Sequence, residues 1–353
     1  MTHEVNKAPI PVTIITGFLG SGKTSLLNHI LSSRHGLRVA VLVNDFGAIN
    51  IDSELIVGVE GETVSLANGC ICCTIRGDLL RAVSDLLQRN PPPGYLVVET
   101  SGVSDPIAVA QTFLMAELNS YVQVDGIVTL VDAEQLLTLT GGNEMLAIDQ
   151  VAAGDIVVLN KVDLVPAQGL QQVKAWIYEV APKARIIETT YGKAPLELLL
   201  SVGEYSPDRL LRRQQHDIHV HVADEEEHHA HEHDHSLTFN TWSYQAGEPL
   251  NRAALIEAIN KLPSTIFRAK GVLWLDDDPE NRNVFHVVGK RATLTQAGPW
   301  GDVPHGSQIV VIGNAGGVDA DLLTELFDAC RASQASRKQT ALMRNIKSWL
   351  RGR

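Results

Sequence analysis

The chain has 353 residues, 44% of them hydrophobic and 20% charged, and a formal net charge of −12. That length suits about two domains, each able to bury a core without disulfide staples. The acidic balance excludes a broad nucleic-acid surface, and no apolar run approaches the ~18 residues of a membrane span.

The opening stretch MTHEVNKAPIPVTII lacks a basic start, a long apolar core and a small-residue cleavage site, so a cytoplasmic protein with no membrane partner is expected. Over roughly the next 200 residues, short β-branched runs alternate with helical patterns. Strands are expected at Val12–Thr16, Arg38–Asn44, Thr63–Leu66, Tyr95–Glu99, Gly126–Val131, Ile156–Asn160 and Arg185–Glu188. Ser25–Leu31 places Leu27, Ile30 and Leu31 on one helical face, and Leu79–Leu87 repeats the pattern. Such alternation implies right-handed crossovers and a mostly parallel sheet, an α/β fold. YLVVET and DIVVLN are apolar on both faces, as a sheet covered on both sides requires.

His216 to His235 then holds eight of the thirteen histidines, mixed with Asp and Glu and without apolar periodicity. It reads as a linker, either solvated or able to deliver or buffer metal. Beyond it, strands at Ser236–Tyr244, Phe267–Leu275, Val284–Lys290 and Gln308–Ile312 join helices at Asn251–Lys261 and from Ala320. Strands beside strands suggest a smaller α+β domain. The expected organisation is a nucleotide-binding domain over 1–215, the linker over 216–235, the α+β domain over 236–330 and a basic tail over 331–353. From Arg331 to Arg353 there are seven Lys/Arg and no acid. That run is a solvated helix or a docking surface for an acidic partner.

Gly17-Phe18-Leu19-Gly20-Ser21-Gly22-Lys23-Thr24 fits the pattern G-x-x-x-x-G-K-[ST], after an apolar strand and before an amphipathic helix that continues through Ser25. Backbone N–H groups of such a loop face phosphate oxygens, and the helix N-terminus adds positive potential. Lys23 is expected on the β/γ-phosphates and Thr24 on Mg²⁺. Glu99 ends a strand and opens Glu99-Thr100-Ser101-Gly102. A carboxylate there suits a Mg²⁺-bound or attacking water, while Gly102 lets the backbone approach the γ-phosphate. Asp45, ending the second strand, is a further Mg²⁺ candidate or simply a turn-forming Asp.

Asn160-Lys161-Val162-Asp163 follows the strand DIVVL and resembles the guanine-recognition motif of GTPases. The Asp163 carboxylate suits guanine's paired N1–H and N2–H₂ donors; adenine would leave it unsatisfied. Lys161 is expected to stack its stem on the base, and Asn160 to brace the loop. Cys70, Cys72 and Cys73 crowd three of the four cysteines into the run NGCICCTIRGD. Soft thiolates favour Zn²⁺, Cu⁺ or iron–sulfur, and three thiols leave a tetrahedral Zn²⁺ one position open, as transfer requires; zinc is the expected metal, with Co²⁺ and Ni²⁺ as the alternatives. Buried inert thiols and a redox pair are the competing readings.

GFLGSGKT, NGCICC, ETSG and NKVD together resemble the CobW family of P-loop GTPases, as do RAKGVLWLDD and SQIVVIG further on. The resemblance spans Ile10 to Ile312. It implies GTP with Mg²⁺, slow hydrolysis to GDP, and metal held by Cys70, Cys72 and Cys73. One departure is Ala48 in Asn44-Asp45-Phe46-Gly47-Ala48, where relatives often carry an acid. The expected protein is therefore a GTPase metallochaperone that loads a divalent metal, zinc foremost, onto a client metalloprotein. A metal buffer with vestigial turnover is the alternative, and an ATP-dependent kinase or transferase the third reading. A metal- or GTP-dependent homodimer sharing thiols stays open.

Overall fold

The computed structural model describes residues 9–33, 37–43, 62–65, 74–115, 118–200, 239–301, 303–314 and 316–335. Asp45, Ala48, the three clustered cysteines, the His-rich run and the basic run after 335 lie outside those residues. The chain divides into two compact units, with the break between Gly203 and Glu204.

The first unit is built on strands β1 (Ile10–Gly17), β2 (Val39–Val43), β3 (Glu62–Ser65), β4 (Tyr95–Glu99), β5 (Val122–Asp132), β6 (Ile156–Asn160) and β7 (Ile186–Thr189). They form one sheet in the order β3-β2-β4-β1-β5-β6-β7. Every pairing is parallel. The apolar runs explain the burial. All five residues of β2, β4 and β6 are buried. Each buried Val or Leu contributes on the order of 1.5–3 kcal/mol against exposure.

Helices α1 (Lys23–Ser32), α2 (Thr74–Leu87), α3 (Pro106–Phe113), α4 (Gly142–Ala153) and α5 (Ala167–Val180) lie between these strands, and α6 (Leu196–Leu199) follows β7. Asp105 caps α3 by accepting from the Ile107 N–H, and Pro106 opens the helix at the position where its missing N–H costs nothing. The buried face of α1 is Leu26, Leu27 and Ile30 rather than Leu27, Ile30 and Leu31. Because the helix begins at Lys23, two residues before the expected start, its apolar stripe includes Leu26 and leaves Leu31 half-buried.

The second unit is an antiparallel sheet of β8 (Phe239–Ala246), β9 (Ile266–Leu275), β10 (Asp278–Val288), β11 (Arg291–Pro299) and β12 (Ser307–Asn314). Their order is β11-β10-β9-β12-β8. Helices α7 (Arg252–Asn260) and α8 (Ala320–Asp328) contribute Leu255, Leu323 and Phe327 to its core, beside Trp242, Tyr244 and Phe285. Gly289 and Lys290 turn between β10 and β11 instead of ending a strand. Arg331, first of the basic run, is bonded into this unit: Nε donates to the Tyr244 hydroxyl and Nη2 pairs with Asp328. Burial drives the Tyr244 hydroxyl up to about 12. No described helix is long and apolar enough to cross a membrane.

Candidate functional site

The parallel sheet brings the carboxyl ends of β1 to β7 to one edge. Ile15 of β1 pairs with Glu99 of β4, so the loop after β1 and the turn after β4 leave the sheet side by side. Together they line a cleft of about 340 Å³, within the range of small-ligand sites. Its walls hold Leu19, Gly20, Gly22, Lys23, Thr24 and Ser25 opposite Glu99, Thr100, Ser101 and Gly102, with Val43 at the side.

Gly22 has φ 102°, a left-handed backbone that costs glycine little, and it serves as the N-cap of α1. No side chain caps that helix and its first turn carries no acid, so its leading N–H groups and positive end face the cleft's ligand position. A Cβ on Gly22 would strike the Asn160 carboxamide. Lys23 Nζ donates to the carbonyls of Gly17 and Phe18, at 3.0 and 3.2 Å, which keeps the ammonium at the mouth of the loop. Phe18 turns the other way, toward Leu130, Asp132 and Gln150. Ser21 is fully buried, and its hydroxyl lacks a hydrogen-bond partner among the described residues.

Glu99 is 3% exposed at the cleft wall. The chain after it is fixed to β1: the Thr100 N–H donates to Ile15 O at 2.9 Å, and its hydroxyl donates to that of Thr16 at 2.9 Å. Gly102 then passes so near the phosphate loop that a Cβ there would lie 2.8 Å from the Leu19 nitrogen. Thr24 and Glu99 supply oxygen donors in one cleft, the donor type that Mg²⁺ takes.

Asn160 ends β6 and is 2% exposed. Its Nδ2 donates to Ser21 O at 2.9 Å, while its Oδ1 accepts from the Gly192 N–H at 2.9 Å and the Thr189 hydroxyl at 3.2 Å. One carboxamide thus joins the phosphate loop to the loop after β7. Lys161 follows with φ 61°, and its ammonium pairs with Asp132 Oδ2 at 2.6 Å. Asp163 lies exposed in the short turn Val162–Leu164.

Sequence reading passed over Asp132, Gln150, Thr189 and Gly192. Asp132 ends β5 and also accepts from the N–H groups of Glu134 and Gln135. Its place at the carboxyl end of an apolar strand was the available signal. Gln150 offered none, since a lone Gln in a helix is unremarked.

The clustered thiols fall between β3 and α2. Ser65, the last residue of β3, pairs with Val43, which pairs in turn with Glu99. At about 4.8 Å per strand, the chain enters that segment roughly 10 Å from the Glu99 backbone. Among the described residues no group of three His, Cys, Asp or Glu gathers to hold a metal.

A parallel sheet whose first strand runs into GFLGSGKT, and whose sixth ends in NKVD stapled back to that loop, is the frame of a P-loop GTPase, and this chain is one. Comparison with known proteins narrows the class. The chain belongs to the CobW family: the model for the CobW/HypB/UreG nucleotide-binding domain matches residues 11–188, and that for the cobalamin synthesis protein cobW C-terminal domain matches 239–331. It is 31% identical over 331 residues to the zinc-regulated GTPase metalloprotein activator 1 of Dictyostelium discoideum, spanning 82% of this chain and 68% of that protein. It is 33% identical over 314 residues to the zinc chaperone YjiA of Escherichia coli, spanning 86% of this chain and 94% of that one. The crystal structure of Zn(II)-bound YjiA GTPase from E. coli overlays with a TM-score of 0.41 at 25% identity, covering 92% of this chain and 100% of that chain.

Proposed function

We propose that this GTPase is a metallochaperone, which takes up Zn²⁺ on Cys70, Cys72 and Cys73 and passes it to a client metalloprotein under control of the bound nucleotide. In this reading the triphosphate lies along Gly20–Thr24, with Lys23 moving from the Gly17 and Phe18 carbonyls onto the β/γ-oxygens. Asp163 accepts from the guanine edge, and Lys161, steadied by Asp132, lays its stem against the base. Thr24 and Glu99, with Asp45, would hold Mg²⁺, which neutralises phosphate charge when bound. Glu99 orients the attacking water, and the Gly102 backbone meets the γ-phosphate.

The observation that supports coupling is the register Ser65–Val43–Glu99. A thiolate segment that starts two strands from the γ-phosphate side of the cleft feels whether that phosphate is present. Binding of metal and of GTP then shift one another reciprocally. The zinc-named relatives support zinc as the cargo. The intact phosphate loop, Glu99 and NKVD weigh against a passive buffer.

The test is zinc titration and GTP turnover on untagged protein and on a variant with Cys70, Cys72 and Cys73 all changed to Ser. The reading expects tight stoichiometric zinc in the parent, lost in the variant, and turnover that responds to zinc only in the parent. Equal zinc affinity in both proteins sinks the thiol site. Turnover indifferent to zinc in the parent removes the coupling.

A further inference from the structure

Helix α4 carries a polar side chain that the nucleotide motifs leave unused. Gln150 is 1% exposed, beside the apolar Ala147 and Val151 of the same helix. Burying a primary amide is unfavourable unless its donors find acceptors. Both acceptors here belong to the turn after Glu99. Nε2 donates to Gly102 O at 3.1 Å and to Ser104 O at 3.4 Å.

The base from which this amide projects is itself fixed. The Gln150 carbonyl accepts from the Thr129 hydroxyl of β5 at 2.8 Å. Gly154, one turn later, packs against the same hydroxyl, with 2.5 Å between Thr129 Oγ1 and a Cβ built there. The held turn is short: Thr100 anchors its start to β1, and the Ser104 N–H closes onto Ser101 O at 3.0 Å. Between those points Gly102 abuts the Leu19 nitrogen of the phosphate loop. Leucine at position 150 would fill the space as well. Only a donor pair sets the direction of two carbonyls, and hence of the peptide planes between them.

We propose that Gln150 is a positioning residue for GTP hydrolysis, whose buried amide holds the Gly102–Ser104 backbone in place beside the phosphate loop. It rests on the reading that Glu99 and Gly102 face the γ-phosphate. The base and the α/β-phosphates are held elsewhere, by Asn160–Asp163 and Gly20–Thr24. Loosening the turn therefore lowers the rate of the chemical step and leaves GDP affinity in place.

The experiment uses the full chain with Gln150→Met, which keeps length and removes the donors, and Gln150→Glu, which keeps shape and aims a carboxylate at two carbonyls. GDP affinity, single-turnover GTP hydrolysis and amide exchange over 100–105 are measured on each. Expected are GDP affinity within about twofold of the parent, hydrolysis slower by about tenfold or more in the Met variant and slower still in the Glu variant, and faster exchange in that turn. Hydrolysis at the parent rate in the Met variant overturns the proposal. So does a loss of GDP affinity that matches the loss of rate, because that marks a merely structural role. Lys23→Ala runs in parallel. If it still binds GTP as tightly as the parent, the phosphate site itself is misassigned, whatever the Gln150 variants do.

Discussion

Asn160→Ala removes a side chain that ties the phosphate loop to the loop after β7. Three partners lose their bond: Ser21 O, the Gly192 N–H and the Thr189 hydroxyl. All three belong to buried residues, Ser21 at 0% and Thr189 at 3% exposure. A buried group stripped of its partner costs roughly 1–3 kcal/mol. Water entering the vacated space restores part of this, so a net loss of about 3 kcal/mol is expected rather than the full sum. At roughly 2–4 °C per kcal/mol for a unit of this size, melting of the nucleotide-binding unit falls by about 6–12 °C. Asn160→Asp separates the two sides of the staple. It keeps the acceptors for Gly192 and Thr189 and turns a carboxylate against Ser21 O. Both variants are expected to lose GDP affinity by about tenfold or more, since the site no longer arrives preorganised. Calorimetric melting with and without GDP, and titration of GDP, measure both effects. If both variants melt within about 1 °C of the parent and bind GDP equally well, the staple is incidental and the reasoning fails.

Gly102→Ala forces a Cβ to within 2.6 Å of Leu19 Cδ2 and 2.8 Å of the Leu19 nitrogen. The leucine side chain can yield and the backbone cannot, so single-turnover hydrolysis should drop steeply; an unchanged rate would show that the turn has slack. Asp132→Asn keeps the acceptor for Glu134 and Gln135 but takes away the ionic partner of Lys161. With Lys161 one-third exposed, the pair is screened, and GDP affinity should fall only about fivefold, read by titration at low and high salt. Deleting residues 216–235 should leave GTP turnover within about twofold, because every nucleotide motif precedes residue 200; a collapse of turnover would tie the linker to the catalytic unit.

Where the chain writes its chemistry in consecutive residues, the reading from sequence came close. β4 and β6 begin and end as expected, since YLVV and IVVL are unbroken apolar runs, each closed by one polar residue. β10 starts six residues earlier than its apolar core, because the polar stretch Asp278–Asn283 forms half of a hairpin. β11, RATLTQAGP, alternates only over Arg291–Thr295, with Ala292 and Leu294 as its two apolar positions, too short a pattern to mark the strand; it pairs along Phe285–Leu294 and Val287–Ala292 as an edge strand. The site divides in the same way. GFLGSGKT, ETSG and NKVD are local and legible. Asp132, Gln150 and Gly192 meet Lys161, the Gly102–Ser104 turn and Asn160 only through strand order and helix packing, and no sequence spacing reports those.

The all-parallel sheet splits the first unit into a working rim and a spare one. On the far rim, Gly94 precedes β4, and a side chain built on it would touch nothing within 4 Å. Leu114 and Tyr121, before β5, stand 65% and 58% exposed. A dye, affinity handle or surface tether attached there would sit a full strand length from the catalytic rim. The protein can be watched or immobilised at that end while it turns over fuel at the other.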